Sequence, residues 1–206
     1  MDAIRQAASC PIEECDRRKL DDLARGQIHQ GVVLEAGALP VANGDQWVKQ
    51  DFPSDAIVVV LDGIEDPHNF GAIVRTAIAC GAYGILYGKD RSAPLSPAAV
   101  KSAAGAMEHA ELVQATNLVR ALEGLKQAGF WIAAFDEDAP QNLWEADLSG
   151  RIALVIGSEG KGVRRLMKEH CDFHVRIPMP GPLTTLNASV SAAVALVECL
   201  RQRQTP

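Results

Sequence analysis

Residues 57–88 read IVVVLDGIEDPHNFGAIVRTAIACGAYGILYG and hold one strand–helix–strand unit. IVVVLD (57–62) is apolar at consecutive positions, the pattern of a strand covered on both faces. FGAIVRTAIAC then carries an apolar stripe at helical spacing: Phe70, Ile73, Val74, Ala77 and Ile78. Asn69 reads as the helix cap and Gly81 as its stop, because an Asn oxygen serves the unpaired first N–H groups and Gly accepts a left-handed φ. YGILYG (83–88) is the next strand. That order implies parallel pairing through a helical crossover.

The alternation continues towards the carboxyl terminus. A small-residue segment, SPAAVKSAAGAM (96–107), precedes a strand at AELVQAT (110–116) and a helix from Asn117 to Gly129. FWIAAFD (130–136) and IALVIG (152–157) are further strands, separated by a polar connection holding Trp144. A helix is expected near 162–170, and DFHVRIPM (172–179) reads as the last strand. The closing helix, 183–202, has its apparent stripe at Leu186, Val190, Val194, Val197 and Leu200. The fold class is therefore α/β, a mainly parallel sheet with helices on both faces.

The first fifty residues differ. DAIRQAAS, PIEEC, DRRKLDDLAR and GVVLEA suggest helix, strand, helix and strand, too little for an independent core of ordinary stability. A boundary near 46–54 follows, dividing the chain into 1–50 and 51–206.

At 206 residues, 48% hydrophobic and 22% charged, the chain has a globular composition. No apolar run is long enough to cross a bilayer, and no signal segment opens the chain. Five cysteines form no CxxC pair, which suits a reducing cytoplasm rather than a disulfide framework. A net charge of −6 argues against indiscriminate nucleic-acid binding. Much of the acid lies in the first fifty residues. Lys89, Arg91, Lys161, Arg164 and Arg165, by contrast, cluster around the motifs below.

VIGSEGKGVRRL (155–166) resembles a phosphate cradle between strand and helix, yet Glu159 puts a carboxylate where an anion would sit. Its loop reads GxxGxG, not GxGxxG, and GILYGKD is one residue short of a Walker loop. His170, Cys171 and His174 lack a second ligand pair, so no metal site is expected. Three segments instead place polar residues at the carboxyl ends of buried strands, where parallel sheets bind ligands. They are the Asn69–Arg75 region, GSEGKG, and IPMPGPLTTLNASVSAA, whose Pro/Gly loop precedes a helix opened by Thr184, Thr185 and Asn187.

DPHNFGAIVRTAIACGA, LVIGSEGKGVRRLMKEHCD and IPMPGPLTTLNASVSAAVALVECLRQR resemble, in order, the three motifs of the SpoU (SPOUT-class) RNA ribose 2′-O-methyltransferases. The likeness covers about residues 55–203. DRRKLDDLARGQIHQGVV is similar to the end of the small amino-terminal RNA-binding domain of members that modify large-subunit rRNA, here lacking its first strand and helix.

The resemblance implies a deep trefoil knot near the carboxyl terminus, S-adenosylmethionine as methyl donor, a homodimer, and a structured RNA rather than DNA as substrate. A guanosine of large-subunit rRNA is the expected target. The alternatives are tRNA, or a non-catalytic RNA-binding or assembly protein on the same fold. The family's catalytic positions fall on Asn69, Arg75, Glu159, Thr185 (for the usual serine) and Asn187. Its cofactor-binding positions fall on Ile156, Gly157, Gly160, Gly162, Ile177, Pro178, Met179, Leu186, Asn187 and Ala188.

Overall fold

A computed structural model describes residues 6, 9–26, 28–93 and 95–204. The chain forms two compact units, Met1–Ala38 and Leu39–Pro206. The division falls before the expected joint at 46–54, because Trp47, Val48 and Phe52 are buried in the second unit. Trp47 lies over Gly84, where a Cβ would meet its ring at 2.5 Å.

In the first unit, α1 (Arg17–Ala24) is capped by Asp16, which accepts from the Lys19 N–H at 2.8 Å. It buries no residue. The strands expected at PIEEC and GVVLEA do not form. Ile12 is 47% and Leu34 70% exposed, so among the described residues neither segment has an apolar surface to pack on or a partner strand. The helix expected at 2–9 falls outside the described residues, save for Gln6 and Ser9.

The second unit is an α/β sandwich whose elements follow from the sequence pattern. In order they are β1 (Ala42–Asn43), α2 (Gly44–Trp47), β2 (Ile57–Asp62), α3 (Pro67–Ala79), β3 (Gly84–Gly88) and α4 (Pro97–Ala103). Then come β4 (Leu112–Ala115), α5 (Leu118–Gln127), β5 (Trp131–Phe135), β6 (Gln141–Asn142), β7 (Ile152–Gly157), α6 (Arg165–Glu169), β8 (Phe173–Arg176) and α7 (Ala188–Gln204). The eight strands pair in parallel, in the order β1-β4-β3-β2-β7-β5-β8-β6.

Alternation explains why IVVVLD is apolar throughout. Ile57, Val59 and Leu61 enter one core, with α3, α4 and α7; Val58 and Val60 enter the other, with α2, α5 and α6. β7 divides likewise between Ile152, Leu154 and Ile156 on one side and Ala153 and Val155 on the other. The small residues of α4 admit close packing: a Cβ on Gly71 of α3 would stand 2.3 Å from the Ala99 carbonyl.

Three local readings change. The cap of α3 is Asp66, not Asn69: its carboxylate accepts from the His68 and Asn69 N–H groups at 3.0 and 3.4 Å, with Pro67 in the first turn. Asn69 is thereby inside the helix, its side chain free for other work. β8 stops at Arg176, where its pairing with β6 ends. Finally, α7 begins at Ala188 and buries Ala188, Ala192, Ala195, Leu196, Glu198 and Cys199, while of the expected stripe Val194 and Leu200 are partly buried against the core. Val190 and Val197 remain 46% and 58% exposed, since the small face permits closer approach to α3 than the valines would.

Candidate active site

β2 and β7 are neighbours, with Asp62 in register with Gly157 at their carboxyl ends. The turn entering α3 and the GSEGKG loop therefore leave the sheet side by side. The loop doubles back on itself: the Gly162 N–H donates to the Ser158 carbonyl at 2.9 Å, and Gly160 and Gly162 take φ of 75° and 62°. Gly157 is required for a different reason, since a Cβ there would stand 2.1 Å from the Gly162 carbonyl carbon.

Asp62 ties the far end of the loop down. It has no exposed surface, and its carboxylate accepts from the Arg164 N–H at 2.8 Å and Nε at 2.6 Å. Sequence reasoning did not single out Asp62. The only signal was an acid ending a run of buried residues, which needs a fixed partner.

From this arrangement three expected residues converge. Asn69 Nδ2 donates to Glu159 Oε1 at 3.1 Å, Asn187 Nδ2 donates to Asn69 Oδ1 at 3.0 Å, and Asn187 Nδ2 also donates to Glu159 Oε1. They come from residues 90 and 28 positions apart along the chain. Asn187 is also the cap of α7, its Oδ1 accepting from the Ser189 N–H at 2.9 Å and Oγ at 2.6 Å. The cap thus fixes the rotamer that presents Nδ2 to Glu159.

Arg75 bonds to none of the three. It is exposed on α3, six residues beyond Asn69 and so on a different face of the helix. Thr185 lies on the loop before α7, without a hydrogen bond to the triad.

Beside the triad lies a cleft of about 260 Å³, near the lower end of the ~300–1,000 Å³ that small-molecule sites occupy. Ile156, Gly157, Gly160, Gly162, Ile177, Met179, Leu186 and Ala188 line it, as expected from sequence. Pro178 and Asn187 do not. Residues from the end of β5 that sequence reading missed line it too: Phe135, Asp136, Glu137 and Asp138. The carboxyl-end rule would have found them only with the strand order known, because β5 is neighbour to β7.

Lys168 also lines the cleft and pairs with Asp136. Burial opposes ionisation of Asp136. The Lys168 ammonium, through its hydrogen bond and charge, nonetheless holds the carboxyl below its ordinary range, helped by the Asp138 N–H and His174.

The cleft's donor set suits a zwitterionic ligand with an apolar body and a cationic centre. Four carboxylates (Asp136, Glu137, Asp138, Glu159) face two ammonium groups (Lys161, Lys168), and Ile156, Ile177 and Leu186 supply apolar walls. The absence of side chains at Gly157, Gly160 and Gly162 leaves backbone groups accessible. That composition fits S-adenosylmethionine and does not fit a polyphosphate.

His170, Cys171 and His174 point to separate partners. His170 Nδ1 lies 3.6 Å from Glu123, the Cys171 thiol donates to the Met167 carbonyl at 3.1 Å, and His174 Nε2 lies 3.1 Å from the Lys168 carbonyl. Burial pushes the Cys171 thiol up to about 12. Among the described residues no three His, Cys, Asp or Glu side chains gather as a metal cluster.

The chain is similar in sequence and fold to known proteins. A sequence model of the SpoU rRNA methylase family matches residues 56–197. The 23S rRNA (guanosine-2′-O-)-methyltransferase RlmB of Pseudomonas putida is 43% identical over 197 residues, 94% of this chain and 79% of that protein. The enzyme of the same name from Escherichia coli is 39% identical, over 93% of this chain and 79% of that one. Among solved structures, the SpoU methyltransferase AviRb of Streptomyces viridochromogenes, in complex with AdoMet, matches with a TM-score of 0.70 at 28% identity, covering 76% of this chain. A second, described as an RNA 2′-O ribose methyltransferase, matches with a TM-score of 0.67 at 36% identity over 73% of this chain. This chain spans 61% and 58% of the length of those two solved chains.

Proposed function

Since the chain belongs to the SpoU rRNA methylase family, we propose that it methylates a ribose 2′-hydroxyl of RNA, using S-adenosylmethionine, at a guanosine of 23S rRNA. The observation that carries this reading is the convergence of Asn69, Glu159 and Asn187 on one edge of a cleft with an excess of carboxylates. The high coverage of the RlmB proteins, named for that guanosine reaction, supports the target.

The 156–162 loop, the end of β5 and residues 177–188 would hold S-adenosylmethionine, whose sulfonium would supply the methyl group. The chain's own residues position and stabilise. Asn69 and Asn187, oriented by Glu159, present amide groups towards the ribose, and that fixed geometry provides much of the acceleration. A guanidinium is a poor general base, so the role proposed for Arg75 is electrostatic. Its exposed position on α3 suits pairing with an RNA phosphate. Glu159 is the carboxylate within hydrogen-bond reach of both asparagines, which makes it the candidate relay for the ribose proton.

The remaining features of the reading are a homodimer, a cytoplasmic location and a knotted path through β7, β8 and the run into α7. The exposed valines of α7 support the dimer, as apolar surface the monomer does not use. No helix among the described residues is long and apolar enough to cross a membrane. Residues 1–50 contribute to RNA recognition in this proposal.

The test is to map 2′-O-methylated riboses in RNA from cells with and without the protein. Loss of one 23S guanosine methylation is expected. An unchanged map across rRNA and tRNA overturns the reading.

A further inference from the structure

A second groove opens at the carboxyl ends of β3 and β4, lined among others by Lys89, Asp90, Arg91, Asn117, Arg164 and Leu166. Its volume, about 700 Å³, exceeds that of the cofactor cleft. The two share a wall. The 157–164 loop turns Glu159 and Lys161 to the cleft and Arg164 to the groove, while buried Asp62 anchors the Arg164 end.

Their charges are opposite. The cleft lining has four carboxylates and two lysines; the groove lining has three cations and one carboxylate, Asp90. Asp62 engages Arg164 through Nε and Nη2, yet the arginine side chain keeps 43% of its surface exposed. Lys89 and Arg91 are exposed, and neither enters an ion pair with a described residue. Arg91 is held at φ 54°, an uncommon conformation for a bulky residue that directs the loop as it leaves β3. On a chain of net charge −6, two exposed cations without an ion pair to a described residue, beside a half-exposed Arg164 whose charge Asp62 shares, are a local exception that favours a polyanion.

We infer that this groove binds the sugar–phosphate backbone of the RNA substrate beside the nucleotide being methylated. The inference rests on the proposed function and adds a path. The RNA enters across Lys89, Arg91 and Arg164, and crosses the 157–164 wall to bring one ribose to Asn69, Glu159 and Asn187. The exposed Leu166 and the side chain of Asn117 offer apolar and hydrogen-bonding contacts to the same strand. Each phosphate contact releases counterions, so the groove adds salt-sensitive affinity independent of base identity.

The probe is rRNA isolated from cells lacking the protein, titrated with full-length protein at several salt concentrations. Lys89→Ala/Arg91→Ala should weaken rRNA binding about tenfold at moderate salt. It should also lower the slope of log K against log[salt] by about 1.4–1.8, two contacts' worth. Calorimetric affinity for S-adenosylmethionine should not change. Lys49→Ala, which removes an exposed cation outside the groove, should leave the slope near that of wild type. The inference is overturned by a wild-type slope in the double variant, or by an equal loss per charge in Lys49→Ala. Methyl transfer is scored separately. If wild-type protein methylates no rRNA, the proposed function fails, while the binding slopes still decide the groove.

Discussion

Asp62 and Arg164, 102 residues apart, are joined by hydrogen bonds from the arginine's own backbone N–H and from its Nε to one fully buried carboxylate. The pair links the end of β2, from which the Asn69 turn departs, to the end of the loop that carries Glu159. One side chain thus sets the distance between two of the three converging polar groups.

Replacing Asp62 should therefore disturb stability and chemistry together. Asp62→Ala leaves the Arg164 N–H unsatisfied and frees the loop, with an expected loss of about 2–4 kcal/mol. Denaturant unfolding measures the first effect. Methyl transfer should fall in Asp62→Asn as well, with a larger KM for S-adenosylmethionine, because a neutral amide cannot accept every bond the carboxylate does.

Glu159→Gln tests the triad without altering size. Both asparagine Nδ2 groups donate to Glu159 Oε1, and a neutral acceptor holds them less strongly. Transfer should drop by about ten- to a hundredfold with thermal stability unchanged, since the group is exposed. Wild-type kcat would remove Glu159 from the reaction.

Arg75→Ala should abolish methyl transfer while leaving S-adenosylmethionine affinity intact, because Arg75 neither lines the cleft nor bonds to the triad. Single-turnover rates and calorimetry separate the two. Collapse of cofactor affinity would show that Arg75 acts through the cleft.

The Asp136–Lys168 pair predicts a pH signature. A carboxyl whose folded pKa lies below its unfolded value, about 3.9 for Asp, stabilises the fold above that value. The contribution is lost as pH falls through the lower, folded pKa. Lys168→Met removes the main lowering influence. The stability difference from wild type should be full near neutral pH and shrink as pH falls below about 4, read from urea midpoints across that range. A constant difference would mean the lysine acts through packing alone.

If the protein dimerises as proposed, Val197→Asp, on the exposed side of α7, should yield monomers in sedimentation velocity without changing the circular-dichroism spectrum. Unaltered dimerisation would place the interface elsewhere.

Much of the architecture was legible along the chain because local chemistry specifies it. Consecutive apolar residues at 57–62 and 152–157 require cover on both faces, and Asn117 and Gly129 bound a helix through groups that act within one turn. The valine stripe of α7 misled for the same reason. Periodicity reports an apolar face, but burial depends on which face lets helices approach most closely. Asn69 misled because two capping residues lay three positions apart, and Asp66, directly before Pro67, took the role.

The sequence by itself determined the alternation of strands and helices, the three motif segments and the identity of the polar residues they carry. Tertiary structure alone decided that Asn69, Glu159 and Asn187 touch, that Asp136 joins the cleft beside them, and that Asp62 anchors Arg164. These contacts depend on strand order, in which β7 lies between β2 and β5. That order is set by the packing of two cores across the whole sheet. No window of sequence contains it.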